Sequence, residues 1–254
     1  MLVILTLACC APFALHPAFL HAGWFPLAIT NEALQYDRQF GWTLWICGVL
    51  FVALQLLLAS TIVRRSKRAA AIPVEVESRL ELGWTVAAVV LFVAIALAGS
   101  RTWAKVPVRD EGRETIEVYA HQFAWNFRYS GPDGRFGRTT IDQISDSGGN
   151  PFGIDPADKR GADDVVTATL RVPVGRDVLL ILKSRDVIHD FFVRELRTKQ
   201  DVVPGMEIPL EIHLDRAGEY EIACAELCGL GHSQMRSLLI AMPQEDYDRW
   251  KRGE

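Results

Sequence analysis

Apolar and polar positions divide this chain into two stretches of different rhythm. No charged residue stands between Arg38 and Arg64. As a helix, the run 40–63 would extend roughly 36 Å, enough to span a bilayer with tilt. A second apolar run, 82–101, would reach about 30 Å, which matches a hydrocarbon core. Trp42 and Trp45 open the first run, and Trp84 and Trp103 flank the second, where indole rings settle at headgroup level. Further on, short alternating runs at 114–119, 167–172, 178–182, 207–214 and 219–223 are separated by Gly, Pro and Asp turns, the pattern of an all-β sandwich or barrel. Residues 184–192 read as a strand joined to a loop. Residues 130–164 are rich in Gly, Asp and Ser without periodicity, and are expected to be a surface insertion between strands. The segment 244–252 reads as a short amphipathic helix with Tyr247 and Trp250 on one side. The expected organisation is an apolar, signal-like segment over 1–31, a transmembrane helical hairpin over 32–105 and a β domain over 106–254.

Charge orients this plan. The stretch between the two runs carries Arg64, Arg65, Lys67, Arg68 and Arg79, which the positive-inside rule places in the cytoplasm, with the β domain on the outer, periplasmic side of the cell membrane. Of the chain's 31 acidic and 27 basic residues, five and eight precede residue 107, so the remainder has an acidic excess of about seven. Such a surface steers a basic partner, although it also serves plain solubility. Residues 1–31 hold no charged side chain, and the apolar run 2–15 contains adjacent Cys9 and Cys10, an imperfect lipoprotein signal. Cys47, in mid-span, reads as a small packing residue.

The chemistry is concentrated in Cys224-Ala-Glu-Leu-Cys228-Gly-Leu-Gly-His232-Ser-Gln-Met235, which brings two thiols, an imidazole and a thioether onto one loop. Soft sulfur ligands with imidazole favour copper, and a second thiolate allows two metal ions to be bridged. Each copper then needs its own nitrogen. His232 supplies one, and His189, in Ser184-Arg-Asp-Val-Ile-His189, is the candidate for the other. Structural zinc is the competing reading of the Cys-x3-Cys spacing, but it lacks a second close ligand pair, and Met is a poor zinc ligand. A catalytic thiol is disfavoured because no nearby cation lowers its pKa and Glu226 opposes ionisation.

These residues carry a resemblance. The run from Val187-Ile-His189 through Lys199-Gln-Asp-Val-Val-Pro-Gly-Met206 to the cysteine loop resembles subunit II of the haem-copper cytochrome c oxidases. The resemblance implies a cupredoxin-like Greek-key barrel bearing a dinuclear copper centre, CuA. Cys224 and Cys228 would bridge the coppers and His189 and His232 complete them, with Met235 and the Glu226 carbonyl as weak axial ligands. It further implies a magnesium ion shared with subunit I through the Glu226 side chain. The implied partners are subunit I, other oxidase subunits, the membrane and cytochrome c or a similar basic donor, with no nucleic acid. No Cys-x-x-Cys-His run is present, so the resemblance is to members without a fused cytochrome c.

Two further positions acquire meaning from the resemblance. The aromatic stretch Tyr119-Ala-His-Gln-Phe123-Ala-Trp125-Asn-Phe-Arg-Tyr129 reads by itself as a core strand or an exposed electron path. Family members place a Trp, which takes up the electron from cytochrome c, where this chain has Phe123, so Trp125 or Phe123 is expected in that role. Glu81, before Trp84, reads by itself as an interfacial anchor, and the resemblance implies the entrance of a proton path. The function implied is that of a subunit passing electrons from cytochrome c to haem in subunit I, where oxygen is reduced to water. A CuA-bearing subunit of a nitric oxide reductase and a membrane-tethered copper carrier are the alternatives.

Overall fold

The computed structural model describes residues 25–65, 78–103 and 113–254. The signal-like run 2–15 with Cys9 and Cys10, and most of the basic stretch between the apolar runs, lie outside the described residues. Two compact units are present, one holding most of two long helices and the other a β domain that takes in Leu27–Ala33.

Helix α1 covers Asn31–Arg65 and α2 covers Ser78–Trp103. Both are long and apolar enough to cross a membrane. Their large apolar side chains, among them Phe51, Leu54, Leu57, Phe92 and Leu97, are exposed, as a lipid-facing surface requires. Hydroxyls within the helices turn inward to the backbone: Ser60 and Thr61 donate to carbonyls three residues back at 2.7 Å, and Ser100 does so at 3.0 Å. Helix α1 begins eight residues before the charge-free run because capping, not hydrophobicity, sets its end. Thr30 Oγ1 accepts the Ala33 N–H at 2.9 Å, and the Asp215 carboxylate accepts the Asn31 N–H at 2.9 Å. Ile29 is buried in the β-domain core, bonded through its backbone to Glu195 and Asp215.

The β domain has ten strands: β1 Glu114–His121, β2 Ala124–Tyr129, β3 Val165–Thr167, β4 Leu170–Pro173, β5 Asp177–Ser184, β6 His189–Val193, β7 Thr198–Val202, β8 Ile208–His213, β9 Gly218–Cys224 and β10 Arg236–Met242. Helix α3, Gln244–Lys251, follows them. They form two five-stranded sheets, ordered β3-β2-β1-β5-β8 and β4-β10-β9-β6-β7. The pairs β1·β5 and β4·β10 are parallel, and an isolated bridge from Ser184 to Pro204 joins the sheets along one edge. Alternation is clearest in β5, where every second side chain is buried. Val118, Phe127, Leu180, Phe191, Ile222 and Leu239 belong to the common core.

One expected strand, 167–172, is two. Val165–Thr167 pairs with β2 and Leu170–Pro173 with β10, so the chain changes sheets between them. The Thr169 N–H bonded to Thr167 Oγ1 at 3.2 Å makes the bend. The insertion 130–164 has two short 3-10 turns and isolated bridges but no extended strand, and a buried cation fixes it. Arg128, 1% exposed, reaches in from β2 to hold Asp164, Glu117 at 3.0 Å and the Gly137 carbonyl at 2.6 Å. The rings of Phe136 and Phe152 lie 5.1 and 6.0 Å from its guanidinium carbon.

Removing Arg128 leaves the buried Asp164 carboxylate without its cation and Glu117 with Lys183 alone, at 2.7 Å, so Arg128→Met is expected to destabilise the chain by about 3–5 kcal/mol. A thermal melt read alongside limited proteolysis of 130–164 checks this; an unchanged melt with an intact insertion contradicts it.

Candidate metal centre

The ligand loop is the connection between the two adjacent strands β9 and β10. Pairing of Phe191 with Cys224 aligns β6 beside β9, and the Ala225 N–H bonds the Asp190 carbonyl at 3.1 Å, so the loop leaves β9 next to His189. The Cys224 N–H bonds the Met235 carbonyl at 3.1 Å and closes the loop at its base. Within it, Gly229 adopts φ 139°, a region that favours glycine, and a 3-10 turn at His232–Gln234 brings the chain back.

Six donor atoms converge as a result. The Cys224 and Cys228 sulfurs lie 3.8 Å apart; His189 Nδ1 is 3.9 Å from the first and His232 Nδ1 is 3.7 Å from the second. Met235 Sδ is 3.9 Å from Cys228 Sγ, and the Glu226 carbonyl oxygen is 3.1 Å from Cys224 Sγ. A disulfide needs about 2.05 Å, so these are two thiols. Both are buried, as are His189 and Met235. Burial first, and then Cys224 beside it, push the Cys228 thiol up to about 11. Two sulfurs held this close ionise together only when a cation is supplied, and metal binding supplies it. The donors suit copper: two soft sulfurs, an imidazole near each, and a thioether and a carbonyl as weak ligands, where tetrahedral zinc sites use four strong ones. The residues therefore fit a copper pair.

Asp186 orients the histidine. Its Oδ1 lies 2.9 Å from His189 Nε2, which assigns the proton to that nitrogen and leaves the Nδ1 lone pair facing the sulfurs. The other oxygen of Asp186 accepts the Gln122 N–H at 2.8 Å. Sequence reasoning passed over both Asp186 and Gln122. The carboxylate three residues before His189 was the available signal for the first, and Gln122 had none.

Trp125 is 2% exposed, packed edge-on against His189 at 6.2 Å and Phe191 at 5.7 Å between ring centroids. Phe123 is 38% exposed and lies over the ligand loop. Of the two aromatic candidates, Trp125 thus touches a candidate ligand and Phe123 faces solvent. The Glu226 side chain is exposed while its carbonyl faces inward. Glu81 belongs to the helical unit, exposed in the first turn of α2.

A sequence profile described as cytochrome c oxidase subunit II, periplasmic domain, matches residues 114–242. The chain belongs to this family. Among its relatives is the alternative cytochrome c oxidase subunit 2 of Bradyrhizobium diazoefficiens, 36% identical over 232 residues, covering 89% of this chain and 82% of the relative. The cytochrome c oxidase subunit 2 of Synechocystis is 27% identical over 248 residues, covering 90% and 75%. Among solved structures, the periplasmic domain of subunit II of the Bradyrhizobium japonicum cytochrome oxidase aligns with a TM-score of 0.42 at 21% identity, covering 57% of this chain and 94% of that one. Subunit II proteins are CuA-binding, and in this chain the His189, Cys224 and Cys228 donor atoms all lie within 4.8 Å of one another. Among the described residues, this subunit II chain has two apolar helices and a cupredoxin-like β domain.

Beside the ligands, burial raises the Asp190 carboxyl from 3.8 to about 7, with Asp201 adding to the rise. A folded value above the unfolded one means that the folded chain holds the proton in this window, so stability present below pH 3.8 is lost as pH rises toward 7. In the metal-free chain, Asp190→Asn is therefore expected to raise the melting temperature at pH 8 and leave it near wild type at pH 4. An equal effect at both values contradicts the assignment.

Proposed function

We propose that this chain is the electron-receiving subunit of a respiratory cytochrome c oxidase. It takes electrons from a c-type cytochrome and passes them to haem in subunit I, where oxygen is reduced to water. What carries this reading is the pair of buried thiols 3.8 Å apart, each beside its own imidazole. A copper pair bound there supplies a one-electron relay with little rearrangement.

The chain's own residues do the rest. Cys224, Cys228, His189 and His232 would hold the copper pair, with Met235 and the Glu226 carbonyl as weaker donors. Asp186 keeps His189 in one tautomer and orientation. Burial keeps water from the sulfurs, and the donors are already gathered without metal, which limits reorganisation. Trp125, edge-on to His189, is the relay from the donor side. The exposed Glu226 side chain is available to a magnesium ion shared with subunit I, and Glu81 to a proton path at the other end of α2. By the positive-inside rule, the basic residues between the helices favour a cytoplasmic side for that stretch and a periplasmic one for the copper domain. The acidic excess of the domain favours a basic donor.

The test is stopped-flow mixing of the assembled oxidase with reduced cytochrome c. The copper absorbance is expected to bleach before the haems of subunit I are reduced, Cys228→Ser to abolish rapid haem reduction, and Trp125→Phe to slow the bleach several-fold more than Phe123→Leu. Haem reduction at the wild-type rate in Cys228→Ser overturns the reading, and equal rates in the two aromatic variants remove Trp125 from the route.

A further inference from the structure

The turn between β1 and β2 closes over the ligand loop with one polar and one aromatic contact. Gln122 Nε2 donates to the Cys228 carbonyl at 2.5 Å. The Phe123 ring lies against the backbone of Gly229 and Gly231. A Cβ on Gly231 would stand 2.5, 2.6 and 2.9 Å from ring carbons, and one on Gly229 would meet the ring at 3.0 Å and Gln122 Nε2 at 2.9 Å. These ring atoms include Cγ, the root of the side chain, so the ring cannot swing aside cheaply.

The two glycines differ in an informative way. Gly229 sits at φ 139°, where a side chain is strained whatever surrounds it. Gly231 sits at φ −91° and ψ 8°, which other residues adopt, so its backbone does not demand glycine. What forbids a side chain at Gly231 is the Phe123 ring.

The turn is itself held from both sides. Asp186 accepts the Gln122 N–H through one oxygen and engages His189 through the other. Next to it, His121 is buried, with Arg185 donating to its Nδ1 at 2.9 Å and the Asn126 amide 2.9 Å from its Nε2.

We infer that Gln122 and Phe123 form a clamp that locks the Cys228–Gly231 segment in its metal-holding shape before any metal arrives, with the absent side chain of Gly231 as its seat. Phe123 is on this account a positioning residue. It acts on Cys228 and His232 through the loop backbone, and through Asp186 the same turn is tied to His189. The inference rests on the copper reading for its purpose, though not for its geometry.

A double-mutant cycle on the full chain tests it, with two readouts. In the metal-free chain, the rate at which iodoacetamide alkylates the Cys224 and Cys228 thiols reports opening of the loop; in the copper-loaded chain, release to a chelator and the copper absorption spectrum report the ligand set. Phe123→Ala and Gly231→Ala are each expected to raise the alkylation and release rates about tenfold, by admitting local opening. Because the new methyl has no ring to meet once Phe123 is gone, the double variant is expected to be no faster than either single one. Phe123→Trp restores a flat ring and is expected to keep wild-type rates. Melting temperatures separate loop opening from general unfolding. Unchanged rates in Phe123→Ala, or strictly additive effects in the double variant, overturn the clamp. If the chain fails to bind a copper pair but alkylation still follows the cycle, the functional reading fails and the clamp stands.

Discussion

Two sulfur atoms buried 3.8 Å apart impose a demand that the surrounding structure answers. Cys228 cannot be ionised alone without cost, since burial and the neighbouring Cys224 both disfavour its charge, as its raised pKa records. Without metal the pair is held only by packing and by the backbone. With metal the two thiolates become the strongest ligands in the domain. The fold therefore keeps the loop shape independent of the metal, and it does so by rooting both ends of the loop in paired strands and covering its crest with the turn that follows β1.

The sheet topology explains why such a loop can be rigid. Strands β9 and β10 are neighbours in the middle of their sheet, and β6 flanks β9, so His189 and Cys224 stand on elements supported on both sides. The other sheet contributes the β1–β2 turn from across the core. The ligand arm on β6 and the loop between β9 and β10 thus share one tether, Asp186, which meets His189 and the turn at once. Far from this end, the start of α1 is fastened by Asp215, so the first helix begins as part of the β domain.

Much of this was legible in the sequence, for reasons specific to each element. The helices show themselves because a charge-free run of such length has few uses outside a membrane, but their ends do not. The cap of α1 comes from a residue 184 positions away. Strand β5 is readable from its alternation, whereas the break between β3 and β4 is hidden, because alternation does not say which sheet a strand joins. The parallel pairings β1·β5 and β4·β10 join distant segments and leave no local trace. Most of the candidate ligands could be read because sulfur and imidazole crowd one loop. Asp186 looked like an ordinary turn acid and Gln122 like a polar tip, since their roles arise only when the turn and the loop meet. Gly231 reads as a turn glycine, and only the ring above it reveals another reason.

The central claim is that the two thiols hold two copper ions as one electronic unit. Electron paramagnetic resonance of the copper-loaded chain, together with its copper content, tests this most directly. The account predicts two coppers per chain and hyperfine structure from one unpaired electron shared equally over two copper nuclei. A single copper per chain with the hyperfine pattern of one nucleus, or a preference for zinc, would contradict it.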